Sequence, residues 1–317
     1  MQSKIIYDTV IIGSGPAGLT ASIYNARADI KTIVVAGYQP GGQLTITTVV
    51  ENFPGFVNGI GGVKLMMDMQ EQAKRLGVEF TNGLVDEVRK EGKEFVTKLK
   101  DGRELRSRAV IVATGAKARW LGIENEDRLI GRGISGCATC DGAFFRDKRV
   151  AVVGGGNAAV EEASFLTKFA KKVYLIHRRD QLRASAIERK RVENNPKIEI
   201  WWNTEVKELI GQEKLERIRV ENNISGKIKE VPMDGMFVAI GHLPATDFVK
   251  ELVDLTETGH IITGEDRRFR TMSSRAGIFA AGDCADSIYR QAVVAAGEGA
   301  KAALDAERWI GEQVMQG

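Results

Sequence analysis

Cys137-Ala138-Thr139-Cys140-Asp141-Gly142 is the stretch whose residue types could do chemistry most directly. Two thiols two residues apart can close a disulfide, and a carboxylic acid follows at once. The same spacing is half of a zinc site, but a structural zinc needs four ligands, usually from a second pair at comparable spacing. The other cysteine is Cys284, and His177, His242 and His260 form no spaced pair, so no metal is expected. Cys284 reads as inert packing near the end of a buried strand. A thioredoxin-type CxxC would need its own small βαβ domain, which the sequence does not offer.

A glycine-rich fingerprint lies on each side of this dithiol. Upstream, Gly13-Ser14-Gly15-Pro16-Ala17-Gly18 follows the β-branched run Thr9 to Ile12 and precedes a helical stretch from Ala17 to about Asn25. Strand, glycine turn and helix are the context in which a pyrophosphate sits on the N–H groups of a helix start. A second strand, Thr32 to Val35, ends at Ala36, where an NAD site would place an acid on the adenine ribose. The first site therefore suits a cofactor held by many contacts along its length, and FAD fits better than exchangeable NAD.

Downstream, the strand Arg149 to Val153 runs into Gly154-Gly155-Gly156-Asn157-Ala158-Ala159, which repeats the unit. Its second strand, Val173 to Ile176, ends in His177-Arg178-Arg179-Asp180, with Arg183 close behind. Arginines at that strand end suit the 2′-phosphate of NADPH, because the guanidinium fork pairs bidentately with phosphate. His177 reads as a spacer or stacking residue rather than a base.

These motifs need a scaffold. At 317 residues the chain exceeds one ordinary core, so two domains are expected. A net charge of +3 does not point to nucleic acid or a membrane surface. Apolar runs such as Val150-Ala151-Val152-Val153 are far too short to span a bilayer and read as buried parallel strands. Few cysteines, and no signal-peptide pattern at Met1 to Asp8, suggest a reducing cytoplasm. The intervening segments read as a helix over Leu65 to Leu76, meanders over Glu79 to Leu105 and Ile198 to Met233, and strands over Ala109 to Ala113 and Gly235 to Ile240. Thr114-Gly115 and Gly282-Asp283 are strand-end turns that could approach a cofactor, and Tyr289-Arg290-Gln291-Ala292 opens an alanine-rich helix reaching about Trp309.

Together with Gly41-Gly42-Gln43-Leu44 and Glu51-Asn52-Phe53-Pro54-Gly55, these motifs resemble the low-molecular-weight thioredoxin reductases, class II pyridine nucleotide-disulfide oxidoreductases, over the whole chain. The resemblance implies an α/β protein of two Rossmann-like three-layer domains. Residues 1–116 and 245–317 would form the FAD domain, and an inserted NADPH domain, 117–244, would carry the dithiol. It implies a homodimer and a rotation of the inserted domain about hinges near Lys117 and Pro244.

Gly13, Gly15 and Gly18 would hold the FAD pyrophosphate, with Ser14, Pro16 and Ala17 in the same turn. Gly37, Gly42, Gln43, Asn52, Thr114, Gly115, Gly282, Asp283, Arg290, Gln291 and Ala292 would line the rest. NADPH would lie on Gly154, Gly156, Asn157 and Ala158, with its 2′-phosphate near His177, Arg178, Arg179 and Arg183. Cys140 would face the flavin, Cys137 would attack the disulfide of thioredoxin or a thioredoxin-like protein, and Asp141 would shuttle the proton. Arg132, Phe144 and Phe145 read either as partner contacts or, for the aromatic pair, as core. Gly136 and Ala143 stand where the family often has bulkier residues. Two other readings are a flavin reductase serving another acceptor (ferredoxin, a quinone or a glutaredoxin-like protein) and a non-enzymatic nucleotide-binding scaffold.

Overall fold

The computed structural model describes residues 6–38, 40–47, 49–265 and 268–316, so most of Met1 to Asp8 lies outside the described residues. Two compact units form, one from the chain up to Lys117 together with Leu243 onward, the other from Ala118–His242. The first segment contains β1 (Ile6–Ile12), α1 (Pro16–Arg27), β2 (Thr32–Val35), α2 (Gly62–Arg75), β3 (Glu79–Thr81), β4 (Val85–Glu91), β5 (Glu94–Leu99), β6 (Glu104–Val112) and β7 (Ala116–Ala118). Then come α3 (Glu126–Leu129), β8 (Ile134–Ser135), α4 (Ala138–Asp141), β9 (Arg149–Val153), α5 (Asn157–Leu166), β10 (Lys172–Ile176), α6 (Ala186–Glu193) and β11 (Ile198–Trp201). The second unit continues with β12 (Thr204–Ile210), β13 (Arg217–Asn222), β14 (Ile228–Pro232) and β15 (Gly235–Val238). The chain returns through β16 (His242–Pro244), β17 (Ile278–Ala280) and α7 (Ala292–Gln316), and β7 pairs with β16 where the chain crosses.

In the first unit the sheet runs β3-β2-β1-β6-β5-β4, with β17 beside β6. The strands β1, β2, β3, β6 and β17 are mutually parallel, whereas β4 and β5 fold back antiparallel. Side chains alternate across a strand. Ile11, Val34, Ile111 and Phe279 therefore face α1 and α7, while Val10, Ile12, Val110 and Val112 meet Phe95, Leu99, Val249 and Ile261 on the other side. Burial on both faces explains the unbroken apolar runs that mark these strands in sequence. Removing the fully buried Phe279 ring would cost about 3–5 kcal/mol. Gly299 lets α7 press on α1, since a β-carbon there would stand 2.1 Å from the Ala17 carbonyl oxygen.

The second unit has a five-stranded parallel sheet, β11-β10-β9-β15-β8. Val150, Val152 and Phe237 pack against Ala159, Val160 and Ala163 of α5. On the opposite face, Ala151, Met236 and Val238 pack against Leu209 and Ile218 of the antiparallel sheet β12-β13-β14.

The meander readings need one correction each. Glu79–Thr81 joins the parallel sheet beside β2, and Ile198–Trp201 joins it beside β10. Each follows a helix and closes a βαβ crossover, and only the strands after it form the antiparallel layer. The last helix begins at Ala292 and runs past Trp309 to Gln316.

Candidate functional site

In the first sheet the order reverses between β1 and β6, and ligands of doubly wound folds bind outside the carboxyl ends of strands at such a point. The Gly13 turn lies there. A β-carbon at Gly13 would stand 2.1 Å from the Ala113 carbonyl oxygen and 3.0 Å from the Thr114 nitrogen. Only glycine lets the two strand ends close on each other. Gly15 precedes α1 with Pro16 at the first helical position and no side-chain cap, so the helix start presents backbone N–H groups.

The Ser14 hydroxyl ties two loops, donating to the Ala36 carbonyl (3.0 Å) and accepting from the Gly41 N–H (3.1 Å). Space remains over Gly15, and a β-carbon at Gly42 would lie 3.7 Å from the Gly15 α-carbon. Ala17 sits under Gly282, 3.1 Å from where its β-carbon would be. Gly37 and Gly115 are left-handed turns open to space, and Gly18 packs on the Gly13 carbonyl.

Residues far apart in sequence converge around this turn. Asn52 Nδ2 donates to Gln291 Oε1 at 3.1 Å, Thr114 Oγ1 to the Ala245 carbonyl at 2.8 Å, and Gln43 Nε2 to the Ala116 carbonyl. Arg290 holds a left-handed conformation (φ 46°) just before Ala292 opens α7. Burial, then repulsion from Asp286, pushes the Asp283 carboxyl up to about 6, although Arg290 pulls the other way. Glu298 of α7 accepts the Gly282 N–H at 2.7 Å. Sequence reading missed Glu298 and Gly299; their one signal was two residues breaking an alanine-rich helical run at adjacent positions.

The second sheet reverses between β9 and β15, and the parallel with the first is close. A β-carbon at Gly154 would stand 2.4 Å from the Ala239 carbonyl oxygen, as Gly13 does with Ala113. Gly155 is backed by the His177 ring, whereas Gly156 faces open space. His177 is thus buried against the turn, and its ring nitrogen Nε2 bonds the Gln181 carbonyl at 3.0 Å. Burial, assisted by Arg183 and Arg179, lowers its proton affinity.

Asn157 Oδ1 accepts the Ser185 N–H (2.9 Å), and the Arg183 N–H donates to the Gly155 carbonyl (2.6 Å), so the arginine loop is stitched to the glycine turn. Ala158 lies half-buried in the first turn of α5. Arg178, Arg179 and Arg183 are exposed, and no carboxylate among the described residues pairs with them. Three uncompensated guanidiniums beside a glycine turn are a ready anion site.

Cys137 and Cys140 are joined in a disulfide that brackets the start of the short helix α4. Cys137 is half-buried and Cys140 exposed. The Cys137 N–H donates to the buried Ser135 hydroxyl at 3.0 Å, and the Asp141 N–H to the Cys137 carbonyl at 3.2 Å. Burial raises the proton affinity of Asp141, and a hydrogen bond with Ser135 opposes the rise. Ser135 is a site residue the sequence reading did not name.

Phe145 packs edge-on against Phe237 and under Gly235, and so belongs to the core, whereas Phe144 and Arg132 are exposed. Gly136 lies against Trp120 and Ala118, where a β-carbon would be 3.5 and 3.2 Å away. Cys284 is fully buried, bonded to the Val112 and Ala281 carbonyls, with its thiol pushed up to about 11 by burial.

The family model for pyridine nucleotide-disulphide oxidoreductases matches residues 7–299. The chain is 47% identical over 312 residues to the thioredoxin reductase of Mycolicibacterium smegmatis, covering 98% of this chain and 99% of that protein. It is 46% identical to the bifunctional thioredoxin reductase/thioredoxin of Mycobacterium leprae, covering 98% of this chain and 67% of that longer protein. Its fold is similar to the crystal structure of thioredoxin reductase from Streptococcus pyogenes MGAS5005, with a TM-score of 0.91, 40% identity, and coverage of 98% of this chain and 100% of that one. Two glycine turns at sheet switch points, a disulfide in the second unit and these likenesses converge: the chain belongs to the pyridine nucleotide-disulphide oxidoreductase family, among its thioredoxin reductases.

Proposed function

We propose that the protein is an NADPH-dependent thioredoxin-disulfide reductase that uses FAD. The observation that carries this reading is the Cys137–Cys140 disulfide with Asp141 beside it, in the same unit as a glycine turn flanked by uncompensated arginines. The first unit is then the FAD domain and the second the NADPH domain.

FAD fits the first site on its donor set. The uncapped start of α1 and the space over Gly15 and Gly42 suit a pyrophosphate, while Asp283, Asn52, Gln291 and Arg290 supply acceptors and donors for the polar remainder. When bound, FAD relays the two electrons of a hydride from NADPH to sulfur. Gly154, Gly156, Asn157 and Ala158 hold the dinucleotide, and Arg178, Arg179 and Arg183 its 2′-phosphate.

As the family resemblance implies, Cys140 takes the electrons from the flavin and Cys137 attacks the partner disulfide, although Cys140 is the more exposed of the two in the oxidised pair. Exchange needs one accessible nucleophile and one thiol to resolve the mixed disulfide. Asp141, its proton affinity raised by burial, gives the proton a departing thiolate needs. The partner is a thioredoxin or a thioredoxin-like protein, and fusion of the two activities in the Mycobacterium leprae relative supports that choice.

A homodimer is supported by exposed Val63 and Met67 on α2. No helix among the described residues is long and apolar enough to cross a membrane, and the reaction suits the reducing cytoplasm. The test is NADPH oxidation coupled to a panel of small dithiol proteins: turnover with a thioredoxin is expected, and turnover with none of them would overturn the assignment.

A further inference from the structure

The loop that carries Arg178 and Arg179 is held from two sides. On one side Arg183 and Ser185 bond the turn at Gly155 and Asn157. On the other side three consecutive carbonyls of the loop are each taken by a donor from the antiparallel layer. The Thr204 N–H donates to His177 (3.0 Å), the Asn223 side-chain Nδ2 to Arg178 (2.8 Å), and the Asn203 N–H to Arg179 (3.1 Å). These bonds fix the peptide planes before and after each arginine, and with them the direction in which each side chain leaves the backbone. The middle bond alone is made by a side chain, from a residue 45 positions later in the chain. A carbonyl can only accept, so the side chain that meets it must bring an N–H or O–H.

Asn223 is itself well supported. It stands just past the ladder pair Thr204–Asn222, where its N–H donates to the Asn203 carbonyl at 2.7 Å. The neighbouring Asn222 Oδ1 accepts the N–H groups of Ile224 (3.2 Å) and Ser225 (2.9 Å) and the Ser225 hydroxyl (3.0 Å), which fixes the tip between β13 and β14. Asn222 Nδ2 also reaches the Trp202 carbonyl at 3.3 Å. Asn203 holds a left-handed backbone (φ 50°), which asparagine adopts more readily than most residues.

We propose that Asn223 is a positioning residue for coenzyme choice: by holding the Arg178 carbonyl it keeps Arg178 and Arg179 in the orientation that receives the 2′-phosphate of NADPH. Discrimination against NADH is then set partly from a hairpin outside the βαβ unit that carries the glycine turn. This rests on the reading of Arg178, Arg179 and Arg183 as the 2′-phosphate grip. Without the amide, the peptide between the two arginines is free to turn, and both side chains must be ordered anew when the phosphate binds. The contacts of Gly154, Gly156, Asn157 and Ala158 with the rest of the dinucleotide do not depend on it.

Two probes test this on the flavin-loaded protein: adenosine 2′,5′-bisphosphate, which carries the 2′-phosphate, and adenosine 5′-monophosphate, which lacks it. Titration calorimetry gives their affinities, and steady-state kinetics gives KM and kcat with NADPH and NADH. Asn223 is exposed at a hairpin tip, so Asn223→Ala should fold as the parent does. It should weaken the bisphosphate about fivefold, as loss of one neutral hydrogen bond implies, and raise KM for NADPH by a similar factor with little change in kcat. The monophosphate and NADH should be weakened far less, whereas a merely structural role would weaken all four ligands alike. Added to Arg178→Leu with Arg179→Leu, Asn223→Ala should change bisphosphate affinity no further. If Asn223→Ala leaves the ratio of bisphosphate to monophosphate affinity at the parent value, the role assigned to Asn223 is wrong. If the parent itself holds the bisphosphate no tighter than the monophosphate, the reading of the arginine cluster fails first, and the role of Asn223 falls with it.

Discussion

The His177 ring fills the space that a β-carbon on Gly155 would need, with ring atoms 2.1, 2.3 and 2.8 Å from that position. Three consecutive glycines thereby acquire three different reasons. Gly154 clears the Ala239 carbonyl, Gly155 clears His177, and Gly156 leaves room on the open side. Gly155→Ala should push the ring out, distort the turn, and raise KM for NADPH at least tenfold while flavin content stays at the parent level. Adding His177→Ala should recover a large part of that loss. Steady-state kinetics on the two variants decides it, and no recovery in the pair would mean that the contact is not what sets the turn.

Arg178, Arg179 and Arg183 form a second prediction. If they grip a 2′-phosphate, replacing Arg178 and Arg179 with leucine removes charge-assisted bonds of about 1.5–3 kcal/mol each, so NADPH efficiency should fall by roughly two orders of magnitude or more. Efficiency with NADH should change little. Equal losses with both nucleotides would assign the cluster to folding instead.

Asp283 gives a pH signature. Its folded carboxyl is raised from 3.8 to about 6, chiefly by burial, so between those values the folded state holds a proton that the unfolded state has lost. Stability therefore falls as pH rises through that window, and ionised Asp283 costs the flavin-free protein on the order of 3 kcal/mol above it. Asp283→Asn should raise the Tm of flavin-stripped protein at neutral pH and leave it nearly unchanged at the acid end of the window. With flavin bound the advantage should shrink or reverse, because the carboxylate then has donors. Differential scanning at several pH values reads this directly, and a Tm difference independent of pH would refute it.

Much of this molecule was legible because its chemistry sits where chain pattern is strongest. Thr9 to Ile12 and Val150 to Val153 are apolar runs ending in glycine, and a buried parallel strand followed by a turn writes itself in that way. Ser135 and Glu298 were not legible. A lone serine on a two-residue strand, though only two residues before Cys137, and a lone glutamate in a 25-residue helix carry no local pattern, and it is the fold that brings Glu298 to Gly282. His177 reads from sequence as a spacer or stacking residue, and only the fold shows that its ring lies against Gly155. Glu79–Thr81 and Ile198–Trp201 look like the meander strands that follow them, because pairing partner and direction are not encoded within a short strand.

The central claim is that nicotinamide electrons end on the Cys137–Cys140 disulfide. Anaerobic addition of one equivalent of NADPH to flavin-loaded protein, followed by alkylation and mass mapping, measures it most directly. New thiols should appear at Cys137 and Cys140 alone, the buried Cys284 staying unlabelled in the folded protein, and they should vanish on addition of oxidised thioredoxin. Flavin that bleaches while both cysteines remain disulfide-bonded would contradict the account.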